Sequence, residues 1–156
     1  MRLLTDTTYL LPAIGVSVRG FPRLAVRDLQ RSGHTLSICT ISIFELAAIG
    51  AKFVARRKLK QRRVEDGLRA ILHDPNLGHV PFEGPAVIRR ALAVREEIKD
   101  FVDCLLLSSA AAMTDALVTE DEELQRAGSQ ESIRSKLEPT SPTFAVCGLR
   151  SISRVV

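Results

Sequence analysis

Aromatic side chains are scarce in this chain, at 4% of 156 residues, and tryptophan is absent. A surface that stacks successive bases on interleaved aromatic rings is therefore not expected. The three cysteines, Cys39, Cys104 and Cys147, sit in apolar surroundings and form no CxxC pair. That argues against a disulfide framework and against a zinc site, and it suits a reducing, cytoplasmic setting. His34, His73 and His79 lack ligand spacing to one another or to a cysteine. No apolar run approaches the ~20 residues of a membrane helix. The opening MRLLTDTTYLLPAIGV looks like a secretory signal only until Asp6 and Pro12 interrupt it, and no small-residue cleavage site follows. Neither common glycine-rich phosphate loop occurs, nor the G-x-S-x-G of a serine hydrolase, and there is no internal repeat or low-complexity segment.

What remains is an ordinary globular composition, 46% hydrophobic and 26% charged, in a chain long enough for one domain, residues 1–156, with its own core. The formal charge of +4 is locally concentrated: RRKLKQRR, from Arg56 to Arg63, carries six cations and no acid. Arg56, Arg57, Lys58, Lys60, Arg62 and Arg63 suit a polyanion such as nucleic acid, or equally the solvated end of a long helix.

Strand-like and helix-like segments alternate. Arg2 to Thr5 reads as a first strand leading into Asp6, and Thr7 and Thr8 open a short helix that Pro12 ends or kinks. A loop follows over Gly15 to Pro22, then a helix over Arg23 to Gln30 closed by Gly33, and a second strand over Thr35 to Thr40. Ser42 and Glu45 have capping-box spacing before the apolar run Leu46 to Ile49, so a helix is expected to start there and run through Lys58. Further helices are expected over Gln61 to Leu72 and Ala86 to Lys99, with a third strand, Gly78 to Phe82, between them.

The most informative stretch is Asp100 to Leu124. Asp100 suits an N-cap, Cys104 to Met113 is a Leu- and Ala-rich helix, and Ala116 to Thr119 is a strand without polar alternation, as expected when both faces are covered. After Asp121 come a short helix from Glu122 to Arg126, a polar helix over Gly128 to Glu138, a turn from Pro139 to Pro142, a last strand over Thr143 to Cys147, and an edge strand or tail. This order implies a three-layer α/β/α fold around a central, mostly parallel sheet. In such a sheet the carboxyl ends of strands open onto the ligand crevice. Asp6, Glu45, Asp103 and Asp121 each fall at a strand end or in a first helical turn on that rim. Bland roles fit the same residues: Glu45 in a capping box, Asp103 at a positive helix end, and Asp121 as a cap. Four acids on one rim repel one another unless a divalent cation neutralises them, and hard oxygen donors suit Mg²⁺ or Mn²⁺. Such a cluster can polarise a phosphodiester and activate a water.

The segments LTDTTYLL around Asp6, TISIFELA around Glu45, DFVDCL around Asp103 and LVTED around Asp121, in this order, resemble the PIN-domain family over about Leu3 to Leu124. The resemblance implies a PIN-like fold and a metal-dependent ribonuclease in which Asp6, Glu45, Asp103 and Asp121 hold Mg²⁺ or Mn²⁺. It also implies that Thr119, with Thr7 and Ser42, supplies hydroxyls that orient carboxylates or water. PIN proteins of this size resemble the toxin half of VapBC-type toxin–antitoxin pairs, which implies a homodimer and a small antitoxin partner. The core then spans residues 2–127, and residues 128–156 form a C-terminal extension longer than a minimal PIN ending. A stand-alone PIN nuclease and a non-catalytic PIN-like RNA-binding or protein-interaction module are the alternatives. Leu10, Leu11 and Ile14 are candidates either for a dimer face or for ordinary core.

Overall fold

A computed structural model describes residues 1–18 and 25–154 of the chain. Five strands form one wholly parallel sheet: β1 (Arg2–Thr5), β2 (Thr35–Cys39), β3 (Leu77–Val80), β4 (Ala116–Val118) and β5 (Ala145–Cys147), in the order β3-β2-β1-β4-β5. The first strand is central because its neighbours are laid down in opposite directions from it. The chain moves outward to β2 and β3, then returns to the other side for β4 and β5. The order therefore reverses between β1 and β4, which opens a crevice beyond their carboxyl ends.

The two central strands, β1 from Leu3 onward and β4 throughout, are buried on both sides, which is why they carry no polar alternation. Leu4 and Leu117 point into one core with Cys104, Leu106, Leu107 and Ala110, whereas Leu3, Ala116 and Val118 point into the other with Leu10, Ile14, Leu36 and Ile38. The first core lies under α4 (Pro85–Val94), α5 (Phe101–Met113), α6 (Glu122–Ser129) and α7 (Glu131–Leu137). The second lies under a 3-10 helix (Thr7–Ile14), α1 (Ala25–Arg31), α2 (Thr40–Ala55) and α3 (Gln61–Leu72). The three-layer α/β/α arrangement is thus the expected one.

Local differences have physical causes. Pro12 does not end the first helical segment, because a 3-10 helix running from Thr7 to Ile14 absorbs it and closes on Gly15 at φ +93°. Leu10 and Ile14 are core residues, which settles their role against a dimer face. The helix after β2 begins at Thr40, not Ser42, with Cys39 as its N-cap. Ser42 is therefore inside the helix, and the expected capping box does not form. That helix ends at Ala55 rather than Lys58, and the one after β3 at Val94 rather than Lys99. The expected polar helix past Gly128 forms as α7, shortened to Glu131–Leu137, and packs on α4, and the expected last strand forms as β5, which extends the sheet beside β4. After β5 the chain forms a second 3-10 helix, Leu149–Arg154, rather than an edge strand. Residues 19–24, which hold part of the expected loop and the expected helix start at Pro22, and residues 155–156 lie outside the described residues. Among the described residues no helix is long and apolar enough to cross a membrane.

Candidate active site

Four acids face a cleft of about 380 Å³ at the carboxyl ends of β1 and β4, lined also by Thr7, Thr8, Leu11, Ile49 and Glu120. Asp6 follows β1 directly, and its backbone N–H bonds the Val118 carbonyl at 3.0 Å, which fixes it beside β4. Its Oδ2 accepts the Thr119 hydroxyl at 2.6 Å. Thr119 in turn accepts the backbone N–H of Asp121 at 3.0 Å, so one buried hydroxyl ties two of the acids together. Asp121 caps α6, its Oδ1 accepting Glu123 N–H at 2.7 Å and Leu124 N–H at 3.0 Å. The capping role is therefore real, and it coexists with a position on the cleft.

Glu45 lies in the second turn of α2, a consequence of the N-cap lying at Cys39, three residues before Ser42. Its Oε2 accepts the Thr7 hydroxyl at 2.6 Å, linking α2 to the 3-10 helix. Asp103 is in the first turn of α5, whose N-cap Asp100 accepts Val102 N–H at 2.8 Å. Ser42 is fully buried, and its hydroxyl has no hydrogen-bond partner among the described residues. It does not hold a carboxylate here, whereas Thr7 and Thr119 do.

The electrostatics of the cleft are those of crowded like charges. Burial pushes the Asp103 carboxyl up to about 7, and Asp100, Asp6, Asp121 and Glu45 push it the same way. Asp6 and Glu45 are also raised, chiefly by burial, with the Thr119 and Thr7 hydroxyls opposing. Among the described residues, no three His, Cys, Asp or Glu side chains stand close enough to hold an ion as placed. The donor set nonetheless has the chemistry of a magnesium or manganese site: hard carboxylate oxygens, mutual repulsion and an open cleft. An ion bound there must draw the carboxylates inward.

A pH dependence follows from these shifts. A carboxyl raised above its unfolded value of 3.8 stabilises the fold in its neutral form. That contribution is present below pH 4 and is lost as the pH rises through about 7 for Asp103. Thermal unfolding in chelator is expected to show a Tm that declines from pH 5 to pH 8, and Asp103→Asn is expected to flatten the decline. Equal slopes in the two proteins would contradict the assignment of the repulsion to Asp103.

The basic block lies apart from the acids. Arg56 to Lys60 connect α2 to α3, and Arg56 lies eleven positions after Glu45, a rise of about 17 Å along the helix. Arg56, Arg57, Lys58, Lys60 and Arg62 are exposed, with Arg57 in the left-handed region at φ +57°. Arg62 makes only a loose surface pair with Asp66 at 3.8 Å. Arg63 has a structural job: its guanidinium donates to the carbonyls of Ala13 at 2.5 Å and Pro12 at 3.3 Å, satisfying the end of the 3-10 helix.

Sequence reasoning passed over Glu120 and Tyr9. The Tyr9 hydroxyl donates to Glu120 Oε1 at 2.7 Å, and its own ionisation is pushed up by burial and by that carboxylate. The available signal was Glu120's place between Thr119 and Asp121 at a strand's carboxyl end.

The PIN domain profile matches residues 3–129, most of the chain and all four acids. The protein belongs to the PIN domain family. Members of this family are generally nucleases that use divalent metal ions. Among solved structures, the chain is similar to one in the crystal structure of VapBC2 from Rickettsia felis bound to a DNA fragment from their promoter. The TM-score is 0.61 and the identity 18%, over 95% of this chain and 98% of that one. At that identity the likeness speaks to the fold, and it includes the part of this chain beyond the PIN match. No curated protein matches the chain.

Proposed function

We propose that this PIN domain is a metal-dependent endoribonuclease that hydrolyses RNA phosphodiester bonds. The observation that carries the reading is the convergence of Asp6, Glu45, Asp103 and Asp121 on one cleft at the point where strand order reverses, with two of them oriented by threonine hydroxyls. These four carboxylates would hold Mg²⁺ or Mn²⁺, which when bound lowers the pKa of a water and stabilises charge on the phosphoryl oxygens. The hydroxyls that Thr119 donates to Asp6 and Thr7 donates to Glu45 favour the ionised form that such an ion needs. The raised carboxyl of Asp103 belongs to the empty cleft, and a bound dication would return it to the ionised form in which it serves as a ligand.

RNA recognition is assigned to the exposed cations of the α2–α3 connection, with Arg56, Arg57, Lys58, Lys60 and Arg62 contacting phosphates. Arg63 stays on the same surface but is spent on the 3-10 helix. The likeness to a VapBC2 chain supports reading this nuclease as a toxin restrained by a small antitoxin protein, and a cytoplasmic homodimer is the form we assign to it. A free-standing processing nuclease has the same site.

The test is cleavage of an RNA panel by the full chain with Mn²⁺ and with chelator. Cleavage that requires the ion supports the reading; intact RNA throughout, from a folded protein that also fails to bind Mn²⁺, favours the non-catalytic module. Replacing Lys58, Lys60 and Arg62 together by Gln should raise KM by about tenfold at low salt and reduce the salt dependence of binding by up to three counterions. An unchanged salt slope would move RNA binding elsewhere.

A further inference from the structure

The turn between β4 and α6 carries Thr119, Glu120 and Asp121 in succession, and the Glu120 carboxylate joins two segments that lie far apart in the chain. Its Oε1 accepts two hydrogen bonds, from the Tyr9 hydroxyl at 2.7 Å and from the Leu149 N–H at 2.8 Å. Tyr9 is buried in the 3-10 helix that follows Asp6, while Leu149 opens the 3-10 helix after β5, twenty residues past the PIN match. The same segment meets the turn twice more. Thr119 N–H bonds the Cys147 carbonyl at 3.0 Å, and a Cβ on Gly148 would stand 3.1 Å from Glu120 Oε2. Gln125 closes the turn from inside, its side-chain amide donating to the Thr119 carbonyl at 2.7 Å.

We propose that Glu120 is a positioning residue. Through Tyr9 and Leu149 it clasps the first 3-10 helix and the C-terminal segment onto the turn that sets Thr119 and Asp121, so the chain beyond residue 129 becomes part of the acid cleft's framework. A further carboxylate in a wall that already repels negative charge is unfavourable by itself, and two converging donors offset that cost. Remove them and the turn loses the ties that this side chain makes to both flanking segments. Thr119 then no longer holds Asp6 in register with Asp121. The consequence for an ion rests on the nuclease reading above; the clasp does not.

The test uses the full chain as wild type, Glu120→Ala, Glu120→Gln and Tyr9→Phe. Gln keeps an oxygen acceptor for both donors and removes only the charge. In metal-free protein, hydrogen exchange at the Glu123 and Leu124 amides, which Asp121 holds, is expected to quicken about tenfold or more in Glu120→Ala. It should quicken less in Tyr9→Phe and stay near wild type in Glu120→Gln. The Mn²⁺ midpoint, read by thermal shift, should weaken about tenfold in Glu120→Ala and by less than twofold in Glu120→Gln. Exchange that rises equally at the α6 cap and along β2 would reduce Glu120 to a general stability role and overturn the proposal. A Gln variant as impaired as Ala would also overturn it, since Glu120 would then act by its charge. If wild type shows no Mn²⁺ response, the nuclease reading fails, and the exchange pattern alone decides the clasp.

Discussion

Asp103→Asn is expected to lower kcat/KM for RNA cleavage by roughly 10³-fold while leaving the protein folded. Asparagine keeps the shape and one oxygen but removes the charge that attracts a divalent ion. Burial raises the Asp103 carboxyl most and the neighbouring acids add to it, so neutralising it also relieves a buried charge and its repulsions in the empty site. The two effects have opposite signs: activity collapses, and stability in chelator at pH 8 rises by a few degrees. That pairing separates a functional carboxylate from a structural one, whose loss lowers both quantities. Asp6→Asn should be as damaging to turnover, and because burial raises the Asp6 carboxyl even against the Thr119 hydrogen bond, its change in stability in chelator should have the same sign. Wild-type cleavage by either variant would remove that residue from the chemistry.

The second large effect is on stability. Gly67→Ala is expected to destabilise the protein by about 3 kcal/mol, lowering Tm by about 6–12 °C. A Cβ at this position in α3 would lie 2.3 Å from the Ala13 carbonyl oxygen, 2.8 Å from its carbon and 2.7 Å from the Ile14 Cα. All three are backbone atoms, so no rotamer change relieves the clash, and α3 must lift from the 3-10 helix. That helix carries Thr7, which holds Glu45, and Tyr9, which holds Glu120. The variant is therefore expected to lose cleavage per folded molecule as well. Gly33→Ala is the control: no atom lies within 4 Å of its Cβ, and only the left-handed backbone at φ +80° resists substitution, at a cost of about 1 kcal/mol. Similar melting of the two variants would mean that α3 has slack against the 3-10 helix.

Much of this architecture is legible in the residues because the parallel sheet writes it locally. A central strand with both faces covered must be apolar throughout, as in Ala116 to Val118, and the polar residue that follows it falls on the rim. Asp121 and Asp6 could be placed that way. Capping chemistry placed Asp100 and Asp121, since both side chains bind the amides they were expected to bind. The same chemistry misled at Ser42, where burial between α2 and the sheet overrides a good capping sequence and moves Glu45 one turn deeper. Arg63 and Tyr9 were beyond local reading. Each is defined by a partner 50 or more residues away, and such partners emerge only when the sheet order brings the segments together. The tail after residue 128 was underrated for a related reason: its strand is three residues long, and its importance comes from pairing with β4 and from Leu149 reaching Glu120.

The central claim is that the four acids form one divalent-cation site, and calorimetric titration of the metal-free full chain with Mn²⁺, wild type beside Asp103→Asn, tests it most directly. The account requires saturable binding by the wild type, accompanied by a rise in Tm as the ion binds only the folded protein, and a weakening of at least tenfold in the variant. Equal binding by the two proteins, or no binding by either, would contradict it.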